Sequence, residues 1–141
     1  MLIRRMTMED YDSVYALWLS VPGMGLNTVD DSREGIEKYL LRNPKTCFVA
    51  VEEGALIGAI LSGHDGRRAF ISHTAVSPTH QRKGVGGALV RAALDALRAE
   101  GVTKAALVVF ARNEKGNSFW EKQGFTLRTD INYRNRQLSD V

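Results

Sequence analysis

The sequence predicts an α/β fold on a mixed β-sheet, with antiparallel and parallel pairs together. Three observations carry this. Tyr11, Val14, Tyr15 and Trp18 recur at helical spacing near the N-terminus. Three strand-like runs, CFVAVE, LIGAILSG and AFISHTAV, follow with only Glu53-Gly54 and Asp65-Gly66 marking the turns, and Asp-Gly is a favoured hairpin turn. A stripe of Val85, Leu89, Ala93 and Leu97 then separates the third run from a further apolar run, AALVVF. A meander followed by a β-α-β unit makes a mixed sheet, because parallel partners need a crossover.

In chain order, Leu2–Arg5 reads as a strand. Thr7 looks like a cap, with Glu9 and Asp10 in the first turn, and a helix runs to about Leu19. Pro22, Gly23 and Gly25 break it. Asp31-Ser32-Arg33-Glu34 has the form of a capping box for a second helix through Ile36, Tyr39 and Leu40, and Asn43-Pro44 stops it. The three meander strands span 47–52, 56–63 and 69–76. A helix over 86–100 ends at Gly101, and a buried-looking strand follows over 105–110. A short helix over 113–123 stops at Gly124, and 125–128 with 131–138 can form a last pair of strands. No repeat or linker interrupts the chain, so the expectation is a single domain over 1–141.

Composition removes several function classes. The 141 residues carry a net charge of only +3, spread along the chain, without zinc-finger spacing or an aromatic RNA-binding signature. That balance suits a small phosphorylated ligand, and nucleic acid is not expected as a partner. No apolar run approaches the ~20 residues that span a bilayer, and the N-terminal charges do not suit a signal peptide, so the expected location is cytoplasmic, with no membrane partner. Cys47 is the one cysteine and lies in an apolar run, which suits a core residue; His64, His73 and His80 lack paired-ligand spacing, so no metal is expected.

The stretch QRKGVGGALV, residues 81–90, concentrates glycine where a helix begins. Glycines there either serve a tight turn or let an anion reach unpaired N–H groups at the positive end of the helix dipole, with Arg82 and Lys83 adding charge. Two familiar phosphate loops do not fit. No Gly-Lys-Ser/Thr occurs, and a dinucleotide fingerprint through Gly84 and Gly86 would need glycine at Leu89.

The pattern Gln81-Arg82-Lys83-Gly84-Val85-Gly86 resembles the (Gln/Arg)-x-x-Gly-x-(Gly/Ala) signature of the GCN5-related N-acetyltransferase (GNAT) superfamily. A second block, NEKGNSFWEKQGF at 113–125, resembles that family's Asn-to-Gly-Phe stretch. The likeness extends to small bacterial YpeA-like members, which carry a hairpin similar to GHDGRR, here at 63–68. The resemblance implies a GNAT fold: a meander plus a parallel pair splayed at a β-bulge, flanked by about four helices. It also implies acetyl-CoA as cosubstrate and direct transfer of the acetyl group to a primary amine. Amides of Arg82, Lys83, Gly84, Val85, Gly86, Gly87 and Ala88 would hold the pyrophosphate, with Gln81 also among the cofactor-binding residues, and pantetheine would pair with main chain at Thr74, Ala75 and Val76. An amide near Val76 would polarise the thioester carbonyl. Asn113 matches the motif asparagine, a cofactor contact or a helix cap; Phe119 and Trp120 lie beside the cofactor arm on the same likeness.

Many relatives place an acidic tyrosine two helical turns after that asparagine, where this chain has Trp120, free to stack on the cofactor or to fill the core. Tyr133 is the replacement candidate for the acid. His73 is the candidate base, with Glu52 and Asp65 behind it. Strand alternation puts His73 on the face opposite Ser72 and Thr74 unless a bulge resets it, and a structural role is its alternative. Asp30, Asp31 and Glu34 can attract a cationic amine or can simply cap the second helix. The acceptor amine stays open between small molecule and peptide or protein. A CoA-binding sensor without turnover is the alternative to an enzyme. The segment NYRNRQL is a candidate edge for a homodimer.

Overall fold

The computed structural model describes residues 1–140. It divides into two compact units, 1–108 and the chain from Val109 onward.

The first unit carries a five-stranded sheet in the order β1-β2-β3-β4-β5. β1 (Leu2–Arg5), β2 (Phe48–Glu52), β3 (Ala55–His64) and β4 (Ala69–Val76) pair antiparallel in sequence; β4 and β5 (Ala105–Ala106) pair parallel. One 3-10 turn leads into α1 (Tyr11–Ser20), and α2 (Arg33–Arg42) and α3 (Val85–Ala99) complete the unit. The expected meander, its turns and the helix after the glycine-rich stretch all form. At the Asp65-Gly66 turn, Asp65 Oδ1 accepts the N–H groups of Arg67 and Arg68 at 2.8 and 2.9 Å.

Most of β3 is buried, because helices cover both faces of the sheet there. Two of its glycines show which helix lies where. A Cβ on Gly58 would meet Leu89 Cδ1 at 2.9 Å and Val85 Cγ1 at 3.0 Å, so that face belongs to α3. A Cβ on Gly63 would meet the Tyr39 hydroxyl at 2.6 Å, so the other belongs to α2. The α1–α2 side packs Val14, Leu17, Trp18, Ile36 and Leu40 over Val49, Ala59, Leu61 and Ala75. Cys47 lies in this core as expected, and burial pushes its thiol up to about 12.

Two boundaries differ from the sequence pattern. The strand expected over 105–110 pairs only at Ala105 and Ala106, because its pairing with β4 closes at Phe70↔Ala106 and Val108 is exposed. The helix cap expected at Asp31 falls on Ser32, whose hydroxyl accepts from Gly35 N–H at 3.0 Å.

In the second unit, α4 (Glu114–Lys122) is capped by Asn113, whose side chain accepts from Gly116 N–H at 2.9 Å. Trp120 stands edge-on between Phe119 and Phe125, at 5.0 and 5.2 Å between ring centres. The strands expected over 125–128 and 131–138 do not form. Alternation of apolar residues makes a strand only where a ladder partner lies alongside. Here Arg128 clamps Asp130 with two bonds of 2.7 Å at a bend, and Leu127, Ile131 and Leu138 are exposed.

Candidate active site

The site in the first unit begins with one extra residue. Ala59 faces Ala75 and Leu61 faces Ser72, so β4 places both His73 and Thr74 opposite Ile60, a β-bulge. His73 takes the inserted position with φ +46°, a left-handed backbone that costs a non-glycine residue ~1–3 kcal/mol. This resets the alternation. Ser72 and Ala75 both face the α1–α2 side, and the His73 ring lies there too, edge-on to Trp18 at 4.9 Å.

Among the described residues, no strand pairs with β4 on its β5 side beyond Phe70. Ser77 N–H bonds Ile57 O at 2.8 Å, so Ser77/Ile57 and Ala75/Ala59 are hydrogen-bonded pairs of the antiparallel ladder. Val76, between them, directs its N–H and C=O to the opposite side, where pairing with β5 has already ended. Gln81 Nε2 donates to that outward Val76 carbonyl at 3.3 Å. Thr74 Oγ1 and Trp18 Nε1 are buried without a hydrogen-bond partner among the described residues.

The chain then turns into α3. Arg82 (φ +63°) and Gly84 (φ +81°) are both left-handed. A Cβ on Gly84 would meet nothing within 4 Å, so glycine is required there for its backbone angle and not for space. The helix spends its first accepting carbonyl, that of Gly84, on Ala88 N–H at 3.1 Å. Ala88 is therefore committed to the helix, a correction to its place among the pyrophosphate donors. The amides before it, Val85, Gly86 and Gly87, stand at the positive end of a 15-residue helix. Exposed Arg82 and Lys83 stand beside them, and Val85 anchors the turn by burying its side chain. A diphosphate fits this donor set by charge and by hydrogen-bonding type.

The three expected acceptor-side acids separate. Asp30 and Glu34 are exposed. Asp31 is only 6% exposed and turns inward, with Oδ1 2.8 Å from His73 Nε2 and Oδ2 accepting Asn27 N–H at 2.7 Å. Both carboxylate oxygens are engaged, so Asp31 is not the open acid that the sequence suggests. Tyr11 donates its hydroxyl to the Asp31 carbonyl at 2.6 Å, and burial raises the Tyr11 phenol. Tyr11, Tyr15, Asn27, Thr28, Asp31, Ser32 and Arg33 line a shallow pocket of about 300 Å³. Arg33 lies over the Tyr11 ring at 4.9 Å and bonds Asp12 at 2.6 Å.

The two reserve bases are placed elsewhere. Asp65 serves its hairpin turn, where the Arg68 and then the Arg67 N–H bonds hold its carboxyl below the usual range. Glu52 lies 3.5 Å from His80 at the surface. Asn113, Phe119, Trp120 and Tyr133 belong to the second unit, where Asn113 caps α4 and Tyr133 is 66% exposed. Sequence reasoning missed Trp18, Tyr11 and Asn27. Asn27, four residues before Asp31, carried a legible signal, since its side chain accepts the Val29 and Asp30 N–H groups in a turn.

Comparison with known proteins bears on this geometry. The family model described as Acetyltransferase (GNAT) family matches residues 11–125. Among curated relatives, the acetyltransferase SG1711 of Sodalis glossinidius is 28% identical over 131 residues, covering 93% of this chain and 91% of its own. Ard1 from Thermoplasma volcanium superposes with a TM-score of 0.80 at 25% identity, over 90% of this chain and 83% of that one. The PaiA N-acetyltransferase from Thermoplasma acidophilum, solved in complex with coenzyme A, superposes with a TM-score of 0.77 at 20% identity, over 90% of both chains. The overall fold is thus shared with solved acetyltransferases, and the chain belongs to the GNAT family as an N-acetyltransferase that uses acetyl-CoA.

Proposed function

We propose that this chain, acting as one domain over 1–141, transfers the acetyl group directly from acetyl-CoA to a primary amine carried by a small molecule or a peptide. The pyrophosphate lies on the amides of Arg82, Lys83, Gly84, Val85, Gly86 and Gly87, with Gln81 at the rim. Pantetheine runs along Thr74, Ala75 and Val76, and bound acetyl-CoA supplies the activated thioester. The single observation that carries this reading is the outward N–H of Val76, on an edge that leads directly into the α3 N-terminus. That N–H is placed to bond a thioester oxygen as negative charge develops on it. The coenzyme A complex of the Thermoplasma acidophilum relative supports the same cosubstrate.

His73 receives the amine proton in this reading, and Tyr133 protonates the departing thiolate. Thiols titrate near ~8.5, so the acid has little to supply. Asn113, Phe119 and Trp120 contribute to the cofactor arm, and the exposed acids Asp30 and Glu34 draw a cationic acceptor.

The test is calorimetry with acetyl-CoA followed by a thiol-release assay over a panel of amines, with small amines and N-terminal peptides in separate arms. The expected result is one acetyl-CoA site per chain and turnover with one arm. Absence of acetyl-CoA binding would overturn the reading. Tyr133→Phe should lower kcat more than it raises KM, and an unchanged kcat would remove Tyr133 from the chemistry.

A further inference from the structure

We infer that Asp31 is a positioning residue for the transfer: its buried carboxylate holds the His73 imidazole in the tautomer whose Nδ1 is free to take the amine proton. This rests on His73 as the base in the proposed reaction. It replaces the acceptor-binding role that the sequence suggests for Asp31.

The geometry is over-determined. Asp31 Oδ1 stands 2.8 Å from His73 Nε2. An ionised carboxylate only accepts, so in the neutral imidazole the proton of that bond belongs to Nε2 and Nδ1 keeps its lone pair. Oδ1 is not free to turn away, because Oδ2 is held by Asn27 N–H at 2.7 Å. The Asp31 main chain is fixed as well, by the Tyr11 hydroxyl on its carbonyl at 2.6 Å and by its own N–H on Asn27 O at 3.1 Å. On the other side the ring is braced edge-on by Trp18, on a backbone held left-handed at the bulge.

Asp31 is not needed to start α2, since Ser32 caps it. A carboxylate buried beside a strained histidine, from a loop 42 residues away in the chain, therefore has the imidazole as its side-chain partner.

In the step this serves, the amine nitrogen bonds the acetyl carbon and its proton passes to His73 Nδ1. The C–S electron pair leaves with the thiolate, which takes its proton from Tyr133, the acid of the proposed reaction, and Tyr133 is reprotonated from solvent. The imidazolium lies against the Asp31 charge until it returns its proton to solvent.

The test is Asp31→Asn. A carboxamide offers one oxygen to two donors. The Asn27 N–H cannot change its nature, so the oxygen turns to it. The new NH2 then donates to His73 Nε2, which must lose its proton to Nδ1. Nitrogen-15 spectra of the histidines in the uncomplexed protein should show Nε2–H for His73 in the wild type and Nδ1–H in the variant. The kcat should fall about 100-fold or more, as a wrong tautomer does in other histidine-dependent enzymes. The acetyl-CoA Kd should stay within about twofold, since the hydrogen bonds of Asp31 go to His73, Asn27 and Tyr11 and to none of the amides proposed for the pyrophosphate.

A wild-type His73 protonated at Nδ1 would overturn the proposal without any variant having to fold. So would an Asp31→Asn protein that keeps its kcat or loses only amine KM. Retention of full kcat by His73→Gln would instead overturn the base reading. The tautomer measurement needs no turnover, so the two failures are distinguishable.

Discussion

Arg4 grips Asp10 with both terminal guanidinium nitrogens, Nη1 on Oδ2 at 2.9 Å and Nη2 on Oδ1 at 2.8 Å. Oδ2 also accepts Thr7 N–H at 2.9 Å, so one carboxylate joins β1 to the start of α1. Burial works to raise the Asp10 pKa, but the Arg4 bonds, the Thr7 N–H and the Arg4 charge outweigh it and hold the carboxyl below its usual value.

The sign of the pH dependence follows. A depressed folded-state pKa contributes stability above the unfolded value, near ~3.9, and that contribution is lost as pH falls through the folded value. Urea unfolding should therefore show a plateau near neutrality and a decline below about pH 4. Asp10→Asn should lower the plateau by about 1–2 kcal/mol, with Arg4 half-exposed, and flatten part of the decline. An unchanged acid limb in the variant would remove Asp10 from the account.

Gly58 lies under α3, whose first-turn amides are proposed to hold the cofactor. A Cβ there needs Leu89 Cδ1 and Val85 Cγ1 to give way from 2.9 and 3.0 Å, and Ala75 O stands at 3.3 Å. Gly58→Ala should destabilise the fold by about 1–3 kcal/mol. Because Val85 anchors the glycine-rich turn, the same change should weaken acetyl-CoA binding before any global unfolding. Thermal unfolding and calorimetry on one preparation check both outcomes.

Gly86→Glu tests the anion site itself. A carboxylate among those amides repels a diphosphate and competes for its donors, so the acetyl-CoA Kd should rise about 10- to 100-fold. Gly86 lies in the first turn of α3, where an acid suits the helix dipole, so melting should hardly move. Unaltered affinity would mean that the diphosphate lies elsewhere.

The parts legible in the sequence were those set by local pattern. The stripe Val85, Leu89, Ala93, Leu97 places α3 because four spaced apolar residues admit one buried helix face, and all four are buried. The Asp65-Gly66 turn places β3 and β4 because its chemistry is local. What depends on a distant partner was not legible. Asp31 and Ser32 are equally good caps in isolation, and the contacts of the Asp31 carboxylate with His73 and Asn27 turn it inward. Alternation alone gave the wrong face for His73, since one inserted residue reverses it. The run from Phe125 to Leu138 has strand-like alternation, but no strand forms over it among the described residues.

Cys47 offers a chemical readout of the α1–α2 core. Its side chain is buried, its thiol contacts Ser62 O at 3.4 Å, and burial pushes its pKa up to about 12. Thiolate is the reactive form, so at neutral pH the native protein should resist an aromatic disulfide reagent. Labelling should occur only as the core opens, at a rate that rises with urea in step with unfolding. Thr46 and Ser62 close the same region, each hydroxyl donating to the other's main-chain carbonyl. Ser62→Ala strands the Thr46 carbonyl in the interior, at a cost of about 1–3 kcal/mol, and should speed labelling accordingly. Rapid labelling of the untreated wild type would contradict this packing, whereas slow labelling that Ser62→Ala accelerates would establish the hydroxyl pair as the closure of the core.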